Sequence, residues 1–199
     1  MKKFLAAVLA AFFLFSPIHA AEFTDAGNRT ILMEGIINFN DETAFVDLYN
    51  SKAGTSDSFT HVILKDSPGG SFIDAANIGS NIHLFGLTTE TSGFCNSSCA
   101  YIWLAGAVLY AHIDDKIGIH APFYVTTKNG KFENSAALDD PEIAEANAAA
   151  AIMAGWYLGS IGISASTTAR FIETKQPDLT QINFFDVPIV FLEDGKHGR

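Results

Sequence analysis

Apolar and polar positions follow two different periods along the chain, and the changes of period mark its elements. Residues 30–39 read as a strand that stops at the turn Asn40-Asp41. In 42–49, Ala44, Phe45, Leu48 and Tyr49 recur at three-to-four spacing, the period of an amphipathic helix. A polar loop at 52–58 leads to a short buried strand at 61–64. Asp66-Ser67-Pro68-Gly69-Gly70-Ser71 then breaks the extended run. A helix capped by Ser71 follows, burying Phe72, Ala75, Ala76, Ile82 and Phe85. Residues 87–91 give another strand, with Gly93 after it, and Cys95-Asn96-Ser97-Ser98-Cys99 runs into the apolar stretch 100–106, a buried helix with two serines in its first turn. Strands at 108–111 and 116–120 flank the Asp114-Asp115 turn, and His120 closes the second, just before Ala121-Pro122. After a polar loop at 126–135, a long Ala-rich helix is predicted from near Leu138 to Leu158, with Asp139, Asp140 and Glu142 at its positive end. A short helix at 166–173, a break at Pro177-Asp178 and a last strand at 187–192 complete the pattern.

Strands and helices alternate through short turns, which predicts an α/β fold with a largely parallel sheet. Residues 1–20 stand apart. Lys2 and Lys3 precede an apolar run, Ser16-Pro17 breaks it, and Ala20 or Ala21 offers a small-residue cleavage point, the pattern of a secretory signal peptide. Residues 21–199 are then expected to form a single domain, in the periplasm or secreted, with no integral membrane span once the leader is cut. The stretch 148–161 is apolar but too short to cross a bilayer. The formal net charge of −10 argues against nucleic acid as a partner. Two cysteines alone make no zinc site, and no histidine pair stands at helical spacing, so no metal or cofactor is expected. In an exported chain Cys95 and Cys99 are either a short-loop disulfide or two free thiols, and the bridge is the preferred reading.

Three features carry candidate chemistry. A serine becomes a nucleophile when a base takes its proton and donors hold the oxyanion. Ser97 or Ser98 sits at a helix start, where the dipole favours negative charge. His120 sits at a strand end, placed to present its ring. The Gly69-Gly70 backbone leaves N–H groups unobstructed by side chains. Each alone also reads as structure: a cap, a packed histidine, a turn.

In this order the three resemble the proteolytic subunit of Clp protease, within the Clp/crotonase superfamily, over residues 30–123 and more loosely to about 190. The resemblance implies a fold of repeated β-β-α units with a long protruding helix. Ser67-Pro68-Gly69-Gly70 resembles the family's oxyanion turn, an element that signal peptide peptidases share. Ser97 followed by Ala100 and Ala105-Gly106 resembles its nucleophile helix, and Gly118-Ile119-His120-Ala121-Pro122 the strand of its catalytic histidine. The resemblance implies Ser97 as nucleophile, His120 as base, and the N–H groups of Gly70 and Ser98 as oxyanion donors. Asp178, seven residues after Phe171, is implied as the third member, with Asp139 and Asp140 as rivals that precede the long helix. It further implies a peptide or protein substrate and a homo-oligomer joined through the long helix. Cys95 and Cys99 depart from the Clp subunit and resemble a looser group of exported Clp-like proteins; a bridge there would stiffen the nucleophile turn, or its redox state would gate it. The expected function is an exported serine peptidase. The alternatives are a non-catalytic binding or assembly protein and a crotonase-like acyl-thioester enzyme.

Overall fold

A computed structural model describes residues 20–128, 131–134, 140–174, 178–183 and 185–192, with the backbone alone for 125–128 and 131–134. The expected leader at 1–20 therefore lies almost wholly outside the described residues.

The elements run β1 (Glu22–Gly27), β2 (Thr30–Glu34), α1 (Asp41–Asn50), β3 (His61–Ser67), α2 (Phe72–Phe85), β4 (Thr88–Asn96), α3 (Ser98–Trp103), β5 (Leu109–His112), β6 (Lys116–Ile119), β7 (Val125–Lys128), β8 (Lys131–Asn134), α4 (Pro141–Ser160), α5 (Ala165–Glu173), β9 (Thr180–Gln181) and β10 (Ile189–Leu192). Eight strands form one mixed sheet in the order β1-β2-β3-β4-β5-β10, with β6 and β9 branching from β4. The pairings β2–β3, β3–β4, β4–β5, β5–β10 and β4–β6 are parallel, as the βα alternation requires, while β1–β2 and β6–β9 are antiparallel. β4 is forked: Thr89 and Glu90 pair with β5, whereas Phe94, Cys95 and Asn96 pair with β6.

Strand alternation sorts the two sheet faces. Ile31, Val62, Thr89 and Leu109 form one cross-strand row, and Met33, Leu64 and Thr91 the next, all buried. They share a core with Phe45 of α1, Ala75, Ile78 and Ile82 of α2, and Tyr101, Ile102 and Trp103 of α3. Burying each large side chain here stabilises the fold by about 1.5–3 kcal/mol. Ser71 caps α2, accepting from Asp74 N at 3.3 Å, and such a cap contributes about 1 kcal/mol.

The opposite face is half-buried, apart from Glu90, which is 8% exposed. Its carboxylate accepts from His61 Nε2 at 2.9 Å and meets His112 Nε2 at 3.4 Å, tying β3 and β5 to β4. Burial alone raises the carboxyl, but the hydrogen bonds and charges of His61 and His112 more than offset it and hold Glu90 below its ordinary 4.5. A depressed folded-state value means that this stability is present above pH 4.5 and disappears as pH falls through the lower folded value. Denaturant unfolding of wild type and Glu90→Gln between pH 6 and 3 should therefore show a smaller acid-dependent loss in the variant; parallel curves would count against the account.

Several expectations need correction. The expected loop at 126–135 is not plain: β7 (Val125–Lys128) and β8 (Lys131–Asn134) pair antiparallel. Asn129-Gly130 between Thr-rich and Phe-containing runs is a hairpin signal that the polar composition obscures. β4 does not stop at Gly93 but bends through it, at φ 88°, and continues to Asn96. Cys95 therefore ends a strand rather than starting a helix. β1 was not anticipated; its turn to β2 uses Gly27, Asn28 and Arg29, all at positive φ. α4 is helical from Pro141, with Asp140 as its cap accepting from Glu142 N, and part of the expected first turn falls outside the described residues. Among the described residues no helix is long and apolar enough to cross a membrane.

Candidate active site

The site forms where three parallel strands end together. The turn after β3 is held against the chain after β2: Ile37 N donates to Gly69 O at 2.9 Å and Ser71 N to Ile37 O at 2.8 Å. Ser67 Oγ donates to Gly35 O at 2.7 Å and Asp74 accepts from Asn40 N at 2.9 Å, so the turn is braced from both sides. Only glycine fits at its apex. At Gly70, φ is 143° and an added Cβ would lie 2.0 Å from Ile37 O. At Gly69 an added Cβ would lie 2.6 Å from Asn96 O and 2.8 Å from Ser97 Cβ. The Gly-Gly turn and the serine turn are therefore in direct contact.

Ser97 is the hinge between β4 and α3. Its φ of 55° and ψ of −124° lie in a region that a non-glycine residue adopts at a cost of about 1–3 kcal/mol. Three bonds enforce that conformation. Ser97 N donates to Gly118 O at 2.7 Å, Ser98 Oγ donates to Gly70 O at 2.8 Å, and a disulfide joins Cys95 to Cys99. The expected bridge thus exists, spanning a strand end and a helix start. Among the described residues Ser97 Oγ has no hydrogen-bond partner, and the N–H groups of Gly70 and Ser98 have no acceptor. A strained serine on a strand-to-helix turn, next to two unused N–H donors, is the arrangement a nucleophile and oxyanion hole require.

His120 follows β6. The pairing of Asn96 with Gly118 brings it beside Ser97, and both line a cleft of about 400 Å³ with Pro68, Gly70, Phe72 and Phe123. No hydrogen bond joins Ser97 Oγ to His120; catalytic bonds of this kind tighten when a substrate seats. Tyr101 Oη donates to His120 O at 2.9 Å, Tyr157 Oη donates to Tyr101 O at 2.8 Å, and Ala121 N donates to Thr174 O at 2.8 Å. Burial pushes the His120 imidazole below its ordinary 6.5, and the hydrogen bond to Ala121 opposes this only in part. The Nδ1 atom lies 2.7 Å from Ala121 O. A carbonyl only accepts, so Nδ1 carries the proton and Nε2 is left with its lone pair.

The structure thus brings together Ser97, His120, Gly70, Ser98 and the Cys95–Cys99 bridge. It does not join Asp178 to His120. Asp178 is exposed and makes no hydrogen bond or ion pair with the imidazole, whose Nδ1 is taken by its own neighbour's carbonyl. The β6–β9 pairing ends at Ile119 and Thr180, two residues short of Asp178. Asp140, a rival, caps α4 instead, and Asp139 lies outside the described residues. Sequence reasoning missed the braces Tyr101, Tyr157 and Thr174. Only the place of Tyr101, one turn after Ser97 on an apolar helix, hinted at any of them. Among the described residues no group of histidine, cysteine and carboxylate side chains has the arrangement of a metal site.

No protein-family model matches the chain, and no curated protein matches it in sequence. Among solved structures it is similar to a variant of the 1510-N membrane-bound stomatin-specific protease, with a TM-score of 0.56 and 16% identity over 80% of this chain and 76% of that one. It is also similar to a variant of ClpP1 from Listeria monocytogenes, with a TM-score of 0.54 and 15% identity over 84% of this chain and 92% of that one. The first of these bears the name of a protease, and the fold of the chain is of the Clp protease-like type.

Proposed function

We propose that this chain is a serine peptidase that works with a Ser97–His120 pair. The observation that carries the reading is the strained Ser97 turn set against two unpaired N–H donors. Ser97 Oγ attacks the carbonyl carbon of a bound peptide while His120 Nε2 takes its proton. The Gly70 and Ser98 N–H groups hold the oxyanion that forms. Collapse expels the amine, which receives the proton from His120, and leaves an acyl ester on Ser97. Water, deprotonated by His120, then releases the acid. These steps call for no cofactor. The Ala121 carbonyl orients the imidazole in the place where Asp178 was expected. The apolar lining of Phe72, Phe123, Pro68 and Pro122 suits an apolar substrate side chain.

Export to the periplasm or beyond is supported by the leader pattern and by the disulfide. Self-association is supported by the outer face of α4, where Ile152 is 73% and Trp156 82% exposed. A second reading, a peptide-binding protein without catalysis, is favoured by the lack of a carboxylate on His120. Treating the mature protein with a fluorophosphonate and mapping the adduct separates the two. Phosphonylation of Ser97 supports the peptidase, and an unmodified Ser97 supports the binding protein.

The lowered His120 value also sets a pH dependence. The base is neutral, and so competent, above its folded-state value. The acidic limb of the phosphonylation rate should therefore have its midpoint below 6.5, the ordinary histidine value. A midpoint at or above 6.5 would show that burial does not govern this imidazole.

A further inference from the structure

The Cys95–Cys99 bridge spans the Ser97 turn. Cys95 is held inside the sheet, paired with Ser67 on one side and Ile117 on the other. Cys99 is the second residue of α3, a helix of six residues with no side-chain cap at its start. The bridge fixes the two Cα atoms 5.2 Å apart across a sequence separation of four, and between them lie Asn96, whose carbonyl abuts the Gly69 position, then Ser97 and the Ser98 N–H. Both cysteines are wholly buried. Ser97 holds a backbone conformation that a serine does not choose freely, and two single hydrogen bonds besides the bridge keep it there.

We infer that the Cys95–Cys99 disulfide is the positioning element for Ser97 and the Ser98 N–H, and that a dithiol reductant switches the site off by opening it. The activity arm of this inference rests on the peptidase reading; the structural arm does not. The exchange is balanced: a thiolate of the dithiol attacks one Sγ, the Sγ–Sγ bond breaks, and a mixed disulfide forms. The second thiol then displaces the protein sulfur. Two electrons pass to the protein, Cys95 and Cys99 end as thiols, and the reductant ends as a disulfide. The free turn then relaxes toward ordinary φ, which carries the Ser98 N–H away from Gly70 and turns Ser97 Oγ off its line of attack. Because both sulfurs are buried, attack needs a local opening of this turn, so a phosphonylated Ser97 that fills the oxyanion hole slows reduction.

The test compares the full mature chain, oxidised and fully reduced by dithiothreitol, with reduction verified by mass. Hydrogen exchange is followed in peptides covering 67–71 and 94–100, with β1–β2 as the reference. Fluorophosphonate inactivation is resolved into a saturation constant and a maximal rate. Reduction is expected to speed exchange in 94–100 about tenfold or more and leave β1–β2 unchanged. The maximal rate falls about 100-fold while the saturation constant holds, because donors to the oxyanion act in the transition state. Cys95→Ser/Cys99→Ser should match the reduced protein and ignore the dithiol. Unchanged exchange in fully reduced protein overturns the inference, as does an exchange increase that extends to β1–β2, which would mark global loosening. If the oxidised protein never reacts with fluorophosphonate, the peptidase reading fails, and exchange alone still decides whether the bridge holds the turn. If the double variant does not fold, reduced wild type carries the comparison.

Discussion

Ser97→Ala is expected to lose phosphonylation entirely and to lower peptide hydrolysis at least about a thousandfold, with the fold intact. The side-chain oxygen makes no bond that the fold would miss, so unfolding stability should change by no more than about 0.5 kcal/mol. Residual labelling at another serine would remove Ser97 from the mechanism. His120→Asn should give a loss of similar size at saturating substrate, because an amide offers no lone pair basic enough to accept the Ser97 proton. Asn is the better test than Ala here, since His120 is 3% exposed and truncation would open a void beside Phe123. Asp178→Asn separates the dyad from a triad. A carboxylate that orients the base is worth about 10⁴ in kcat, whereas an exposed Asp178 with no bond to the imidazole should matter less than about tenfold. A large effect of Asp178→Asn would restore the triad.

Gly70→Ala is expected to be the most damaging change in the turn, in both activity and stability. The new Cβ would lie 2.0 Å from Ile37 O and 2.9 Å from Ile37 N, against backbone that cannot rotate away as a side chain could. The φ of 143° adds strain whatever space is made. Relief requires the turn to leave Ile37, which breaks its bonds to Gly69 O and from Ser71 N and takes the Gly70 N–H out of the cleft. Loss of one oxyanion donor lowers kcat about 10²–10³-fold. Gly54→Ala is the control. It also has positive φ, at 75°, but nothing lies within 4 Å of the added Cβ and it is remote from the cleft. Hydrolysis rates and urea unfolding of both variants decide the matter. Equal losses in the two would reduce the Gly70 effect to backbone strain alone.

What could be read in the sequence was whatever depends on neighbours in the chain. Pro68-Gly69-Gly70 announces a turn because few residues tolerate its backbone, and Ser71 announces the helix that follows. The order of glycine turn, serine turn and histidine strand pointed to the site because parallel strands deliver successive turns to the same sheet edge. The unread parts depend on distant partners. Whether His120 bonds to a carboxylate or to Ala121 O is decided by tertiary placement, which no local pattern encodes. Gly93 looks like a strand end and acts as a bend because β6 and Asp115 wait beyond it; Gly93 N donates to Asp115 Oδ1 at 2.7 Å. Tyr101 and Tyr157 look like core aromatics, and their hydroxyls acquire a task only once α4 lies across α3.

Among the described residues, those that line the cleft fall between Pro68 and Phe123, whereas two of the bonds that set the His120 segment depend on Tyr157 and Thr174. A chain synthesised from its amino end therefore owns its reactive groups well before it owns their bracing. On the peptidase reading, a chain cut before Tyr157 keeps every reactive group and loses two of the bonds that set His120.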